Sequence, residues 1–154
     1  MPEININASE WDDMVREHLN APHHGAEFLT WHSEFILRFH ALLKRVPDQQ
    51  RPKPADIAAW PAVPQDLKGV GGWDPEWEPL EARLRTNIKS FDSLEDLVEE
   101  IYQLHNFLHT AAARFYSDKF VGDRRTAPRS TYFWQIHGLV ELWHLDWRRA
   151  LITA

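Results

Sequence analysis

The chain has 154 residues, 44% of them hydrophobic, and carries a formal net charge of −6 from 17 basic and 23 acidic residues. This size and composition predict one compact domain, residues 1–154, with a sizeable buried core. The acidic balance, without a long Lys/Arg run, argues against nucleic acid as a partner. No stretch approaches the roughly 20 apolar residues of a membrane span. Cysteine is absent, so any metal site must be built from histidines and carboxylates.

The N-terminal third has the apolar spacing of two helices, each with a histidine on its apolar face. In the first, His18 lies at helical spacing from Trp11, and Pro22 ends the run. The second is predicted over residues 27–44, where His32 shares one face with three phenylalanines. Both histidines are therefore predicted to face the core.

The composition changes between Pro47 and Pro79. Seven of the ten prolines and three of the eight tryptophans lie in this stretch. We predict a long, ordered Pro/Trp-rich loop that crosses the protein and packs its tryptophans against the helices, because prolines reduce the entropy that ordering costs. A short helix is predicted to follow Pro79, through Leu80, Leu84 and Ile88.

The second half of the chain predicts a long helix after a cap at Asp92 or Ser93. Acidic residues in its first turn suit the positive end of the helix dipole. Its apolar stripe includes His105 and His109, which lie four residues apart and so project from the same face.

A last helix is predicted from about Ser130, with His137 and His144 on its apolar face. Four predicted helices thus bring histidines towards one core. The pattern predicts an all-α protein whose core is a four-helix bundle, interrupted by the long crossing loop.

A single histidine on an apolar face is usually a packed core residue, but five such residues change the interpretation. Burying that many imidazoles without a shared partner would leave polar groups unsatisfied, at a cost of several kcal/mol. A common metal centre removes that cost. Imidazole ligands without thiolate suit copper, zinc, iron or nickel, and composition alone does not choose among them.

The segment from His23 to His32, HHGAEFLTWH in one-letter code, carries a more specific pattern. It resembles the first-copper signature of the tyrosinase family, in which a histidine is followed nine residues later by that of a Phe-Leu-Pro-Trp-His sequence. The preceding segment, residues 11–20, resembles the helix that supplies the first ligand of that site. The resemblance implies that His18, His23 and His32 bind one copper ion.

Two later segments resemble the second copper site of the same family. Residues 104–109, LHNFLH, are similar to its Leu-His-Asn-x-x-His pair. Residues 133–137, FWQIH, are similar to the segment that supplies the third ligand. The resemblance implies that His105, His109 and His137 bind a second copper ion.

Some positions depart from the family pattern. Ser33 stands where the family usually has Arg, and Glu141 stands where it has Asp. We expect the contacts that orient the metal-binding histidines to be rebuilt at these positions. The remaining histidines, His24, His40 and His144, are candidates for supporting contacts or for replacement ligands, although ordinary core or rim positions are the commoner outcome for such residues.

The resemblance implies a type-3 copper oxidoreductase with two copper ions and dioxygen as co-substrate. Such a protein ortho-hydroxylates phenols and/or oxidises catechols or o-aminophenols to quinones. Asn106 matches a family position associated with a water that accepts the phenol proton. Asp96 lies near the expected separation of its carboxylate partner, and Glu95, Glu99 and Glu100 are close by as alternatives. Two alternatives stay open: a catechol oxidase without monophenolase activity, and a non-catalytic bundle that binds dioxygen or a metal.

Partners and location are expectations of the same kind. The resemblance implies a small phenolic substrate. No signal peptide is recognisable, which favours a cytoplasmic location, while export with a partner and a copper-delivery partner both stay open. The oligomeric state is also open.

Overall fold

The computed structural model describes residues 2–153 and confirms the predicted all-α fold class. Residues 2–153 contain no β-strand beyond an isolated antiparallel bridge between Glu3 and Ser130. None of the helices in this range is long and apolar enough to cross a membrane. In chain order the α-helices are α1 Ser9–Glu17, α2 Gly25–Leu43, α3 Gln65–Lys68, α4 Trp77–Thr86, α5 Leu94–Phe115 and α6 Thr131–Thr153.

The three long helices α2, α5 and α6 pack against one another, and α1 packs on α2. Two apolar clusters result. One joins α5 to the later part of α6 and to the crossing loop, and the other joins α1 and the later part of α2 to the start of α6. Along α2, Phe28 belongs to the first cluster and Phe35 to the second, with His32 between them. The helices therefore place this histidine where the two apolar clusters meet.

Large aromatic rings fix α2 against α6. The ring of Trp134 stacks on Phe39 with centroids 3.7 Å apart and on Phe35 with centroids 5.6 Å apart. Trp11 of α1 packs against both Phe39 and Trp134. Flat rings with few rotatable bonds hold this end of the protein in one arrangement, and so fix the helix positions next to the histidines.

The crossing loop is ordered and lies against α6. The Trp60 side chain is buried, and its backbone N–H donates to the carbonyl of Gln135 at 3.1 Å. Next to it, Ala59 approaches Gly138 so closely that a Cβ at residue 138 would lie 2.5 Å from the Ala59 Cβ. Only glycine allows this approach, so the loop is a structural part of the fold.

The other two loop tryptophans pack on α5. The rings of Trp73 and Trp77 lie 5.6 and 5.2 Å from that of Phe107. The predicted helix after Pro79 begins earlier, at Trp77, and Pro79 lies in its first turn. A proline is tolerated there because the first turn has no intrahelical partner for its backbone N–H groups.

Two predicted helix caps form. The Ser93 hydroxyl accepts a hydrogen bond from the Asp96 backbone N–H at 3.1 Å, which starts α5. The Ser130 hydroxyl accepts one from the Tyr132 backbone N–H at 3.1 Å, which starts α6. Side-chain oxygens at these positions satisfy N–H groups that the first helical turn leaves free. The helices that carry His105, His109 and His137 thus have defined starting points.

Candidate metal centre

Five of the six histidines predicted as ligands meet in the core between α2, α5 and α6. They form two groups of three, within each of which the possible ligand atoms all lie within 4.8 Å of one another. His137 belongs to both groups. We call these residues the five-histidine cluster: His18, His32, His105, His109 and His137.

Regular helices position four members of the cluster. His105 and His109 lie one turn apart on α5, His137 lies on α6 and His32 on α2. His18 differs from its predicted position, because α1 ends at Glu17 and His18 begins a short 3-10 turn. Its backbone still has helical dihedral angles, so its side chain continues the buried face of α1.

The second group, His105, His109 and His137, is compact. The Nε2 atoms of His105 and His109 are 3.0 Å apart, and the Nε2 of His137 lies 3.2 Å from each of them. Two nitrogens bound to one ion at about 2.0–2.1 Å would lie roughly 3.3 Å apart in tetrahedral geometry. The spacing of the three nitrogens therefore fits a single metal ion.

Hydrogen bonds on the far side of the rings fix where the protons lie. His109 Nδ1 donates to the Val121 carbonyl at 2.9 Å, and His105 Nδ1 donates to the Asn106 side-chain oxygen at 3.1 Å. In a neutral imidazole the other nitrogen, Nε2, is then a bare lone pair. Two such lone pairs facing each other at 3.0 Å repel unless a cation lies between them.

A proton on His137 can relieve this conflict only at the expense of its other ring nitrogen. Its Nδ1 is buried and has no hydrogen-bond partner within residues 2–153. A proton on Nδ1 would leave three lone pairs together at the Nε2 triangle, and a proton on Nε2 would leave the Nδ1 lone pair unsatisfied. No placement of protons satisfies both nitrogens, whereas a metal ion at the triangle would bind all three Nε2 atoms.

The first group consists of His18, His32 and His137. In His18 and His32 the Nδ1 nitrogen again donates to a backbone carbonyl. His18 Nδ1 donates to the Arg124 carbonyl at 2.9 Å, and His32 Nδ1 donates to the Phe28 carbonyl at 2.7 Å. Each ring therefore keeps Nε2 free as a ligand atom. The rings of His32 and His137 stack in parallel, with centroids 4.3 Å apart. This stacking joins the two groups into one cluster.

Burial keeps the cluster uncharged. It lowers the pKa of His32 to about 3 and the pKa of both His18 and His109 to about 4. Burial, followed by the charges of the neighbouring histidines, also holds the pKa values of His105 and His137 well below the usual range. Neutral imidazole is the form that binds a metal, so these residues are available as ligands at neutral pH.

His23, the sixth predicted ligand, is not part of either group. It lies in the loop before α2, at the edge of the cavity next to the cluster, and its Nδ1 is 2.9 Å from the Tyr102 hydroxyl. The predicted set of His18, His23 and His32 is therefore only partly assembled. The reason is local, because a loop residue depends on side-chain contacts for its position and Tyr102 supplies one.

The other three histidines lie outside both groups. His24 and His40 are exposed, and His40 lines a separate groove of about 610 Å³. His144 is buried, and its Nδ1 lies 3.1 Å from the Ser33 hydroxyl, which donates to Glu141. Ser33 and Glu141 stand at two of the positions that depart from the tyrosinase pattern, and their hydrogen bond links α2 to α6 beside His144.

Of the two predicted catalytic residues, the structure brings only Asn106 to the cluster. Asn106 lines the cavity and accepts the hydrogen bond from His105. Asp96 is exposed in the first turn of α5, ten residues before Asn106, and is not among the cavity residues. One continuous helix fixes this separation at about 15 Å. The predicted pairing of Asp96 with Asn106 does not form.

A cavity of about 270 Å³ opens onto the cluster. The predicted site residues did not include Tyr102 or Arg124, two polar members of its lining. Tyr102 lies three residues before His105, and this helical spacing could have indicated it, whereas Arg124 comes from an irregular loop without any such signal. The cavity is lined by His18, Ala21, Pro22, His23, Phe28, His32, Tyr102, His105, Asn106, His109, Thr110, Val121, Gly122, Arg124 and Ala127.

Comparison of the chain with models of known protein families, with curated proteins and with solved structures finds no match. The five-histidine cluster and the sequence patterns around it are therefore the features that indicate what the chain does.

Proposed function

We propose that this chain is a type-3 copper oxidoreductase that uses dioxygen to ortho-hydroxylate phenols and/or to oxidise catechols or o-aminophenols to quinones. One observation carries the proposal. Five neutral imidazoles, four of them buried and His109 partly buried, converge from four parts of the chain, and four of the five have Nδ1 hydrogen-bonded and Nε2 free. A purely structural cluster would have no reason to leave so many lone pairs unsatisfied.

The ligands would be His18 and His32, with His23 at the cavity edge, for one copper ion, and His105, His109 and His137 for the other. A bound copper pair would supply two electrons for the reduction of dioxygen. The backbone carbonyls of Arg124, Phe28 and Val121 would orient the rings, as such partners do in metal sites. The choice of copper comes from the tyrosinase-like sequence patterns, since the ligand set also suits other metals.

The cavity supports a reaction on an aromatic substrate. Its volume of about 270 Å³ suits a single substituted ring, and the rings of Phe28 and Tyr102 form part of its wall. Phe28 lies 4.9 Å from the His105 ring and 5.2 Å from the Tyr102 ring. A flat apolar wall beside the ligands would orient a phenolic ring towards the metals and exclude water.

The position of Asp96 favours a second candidate, a catechol oxidase without monophenolase activity. Hydroxylation needs removal of the phenol proton, and the predicted carboxylate partner of Asn106 is exposed and far along α5. A catechol loses its proton more readily and would depend less on such a group. The two candidates share every metal ligand and differ only in this step.

The test begins with copper loading of the purified protein, followed by metal analysis and by measurement of dioxygen uptake with a simple catechol and a simple monophenol. We expect two copper ions per chain and one dioxygen consumed for every two catechols oxidised to quinone, with two waters formed. Zinc-loaded protein is the matched control, because zinc does not change oxidation state. Copper binding without dioxygen uptake on either substrate would favour the non-catalytic bundle, and absence of copper binding would refute the proposal.

A further inference from the structure

The cavity next to the five-histidine cluster carries one formal charge. Arg124 is the only Lys, Arg, Asp or Glu among its lining residues. The other polar groups of the lining are histidines, the Tyr102 hydroxyl, the Asn106 amide and the Thr110 hydroxyl. A molecule in the cavity would therefore meet a positive group and no carboxylate.

Two contacts hold Arg124 at the mouth of the cavity. Its carbonyl accepts the hydrogen bond from His18 at 2.9 Å, and its guanidinium donates to the Leu19 carbonyl at 2.9 Å. A guanidinium has five N–H donors, so most of them stay available after this contact. Within the part of the chain that the structure describes, Arg124 forms no ion pair with a carboxylate.

The neighbouring Arg125, by contrast, is paired with a carboxylate. Its guanidinium donates to both carboxylate oxygens of Asp123, at 3.2 and 3.0 Å, and it does not line the cavity. The loop between α5 and α6 thus has two adjacent arginines. Arg125 is paired with the Asp123 carboxylate, whereas Arg124 lines the cavity. A free guanidinium binds a carboxylate through two parallel hydrogen bonds.

We propose that Arg124 selects catechols or o-aminophenols whose ring carries a short side chain that ends in a carboxylate, by binding that carboxylate at the cavity mouth. This inference rests on the proposed oxidase function and names its substrate class. The long-range electrostatic field of the whole chain predicts the reverse, a preference for cationic over anionic substrates, because the net charge of −6 attracts cations and repels anions. A preference for the anionic substrate would therefore report the local charge of Arg124.

The experiment compares three catechols with the same skeleton and different charge: dihydrocaffeate, its neutral amide, and dopamine. For the copper-loaded parent protein we expect kcat/KM to fall in that order. The Arg124→Gln variant should lower the ratio of kcat/KM for dihydrocaffeate over the amide by about fivefold, as for a solvent-accessible charged hydrogen bond. The variant Arg124→Lys keeps the charge and should recover part of the ratio.

The matched control is Arg125→Gln, which removes the same charge from the adjacent position and should leave both activity and the ratio unchanged. Binding is measured separately, by titrating the three catechols into copper(I)-loaded protein kept free of dioxygen, which contains no oxidant for the catechol. The copper content of each variant must equal that of the parent. A ratio that Arg124→Gln and Arg125→Gln change equally would overturn the inference.

The two proposals fail in different ways. If the parent protein oxidises none of the three catechols, the oxidase function is refuted, whatever the binding order. If it oxidises all three but Arg124→Gln changes neither the ratio of rates nor the binding order, the oxidase function stands and the role of Arg124 is refuted.

Discussion

The two halves of the five-histidine cluster are built in different ways. His105, His109 and His137 come from the interiors of two long helices, and their Nε2 atoms form a triangle with sides of 3.0–3.2 Å. On the other side, His32 lies on α2, but His18 lies in a 3-10 turn and His23 in a loop, outside both groups. Helical spacing fixes ligand atoms to one another, whereas turns and loops need further contacts to do so.

This difference predicts unequal metal sites. The helical triangle, formed by the Nε2 atoms of His105, His109 and His137, needs little rearrangement to accept an ion. Little of the binding free energy would therefore be lost in reorganising the protein. The other site must order the loop histidine as it binds. We therefore expect the second group to bind copper more tightly than His18, His23 and His32 do.

Replacing His109 by Ala should have the largest effect. The change removes one corner of the triangle, so we expect the copper content to fall from two ions per chain to one or fewer and dioxygen uptake with catechol to fall by at least about 100-fold. The helices should persist, because their packing does not depend on one imidazole. Metal analysis, circular dichroism and oxygen-electrode assays measure the three quantities.

The control is His40→Ala, since His40 is exposed and lies outside both groups. Unfolding of the His109→Ala variant would contradict the expectation and would make this group a structural metal site.

Acid should destabilise the metal-free protein through both halves of the cluster. The pKa of His18 is about 4 in the folded chain and 6.5 without the effects of folding. The unfolded chain therefore binds more protons below pH 6.5, and stability that is intact above this pH is lost as the pH falls towards 4. At pH 5 the loss from His18 alone is about 2 kcal/mol.

His32 and His109, with pKa values lowered to about 3 and about 4, should add losses of the same sign. Urea unfolding of the chelator-treated protein at pH 7 and pH 5 measures the difference. His32→Leu removes one of the titrating groups and should reduce the dependence on pH. Equal free energies of unfolding at the two pH values would contradict the burial of neutral imidazoles.

The regular part of this centre could be predicted from the sequence because it follows helical periodicity. The spacing of His105 and His109 and the apolar faces around His32 and His137 place four candidate ligands without any knowledge of the tertiary structure. His18 was also predicted as buried, although α1 ends one residue before it. The all-α class and the starts of α5 and α6 follow from the same local rules.

The irregular parts could not be predicted in this way. The position of His23 depends on Tyr102, which is 79 residues away in the sequence, and that of Arg124 depends on the path of a loop. The predicted proximity of Asp96 to Asn106 is absent for another reason. The separation of Asp96 from Asn106 in the sequence is near that of the family pattern. However, both residues lie on one continuous helix, α5, which begins at Leu94 and places them about 15 Å apart along its axis. Spacing along the chain predicts proximity only when the backbone between two residues is known.

Replacing Asn106 by Leu should have an intermediate effect. In the structure the Asn106 side-chain oxygen accepts from His105 Nδ1, so the residue orients a candidate ligand of the site that we expect to bind copper more tightly. We expect copper affinity at that site to fall by about tenfold, as for other residues that orient metal ligands. Because Asp96 is distant, we expect equal losses of turnover on a monophenol and on a catechol.

Asn106→Asp is the control, since it keeps an oxygen that can accept from His105 and should retain most of the affinity. A much larger loss on the monophenol than on the catechol in Asn106→Leu would instead assign Asn106 to proton transfer from the substrate.

The smallest effect is expected for Tyr102→Phe, which tests the loop histidine directly. The Tyr102 hydroxyl lies 2.9 Å from His23 Nδ1, and this contact leaves Nε2 of His23 as the nitrogen free to bind copper. The substitution removes one oxygen and keeps the ring that packs against Phe28. Without the hydroxyl, His23 would have to lose more conformational freedom to reach the metal. We therefore expect copper affinity at the His18 and His32 side to fall by roughly three- to tenfold, with no change at the helical triangle. Competition with a copper(I) chelator, read as two separate binding steps, measures both affinities.

Tyr116→Phe is the matched control, because its ring stacks on Tyr132 and it does not line the cavity. Unchanged or tighter copper binding in Tyr102→Phe would mean that the hydroxyl does not hold His23 for the metal. The contrast between helix-borne and loop-borne ligands would then rest on His18 alone.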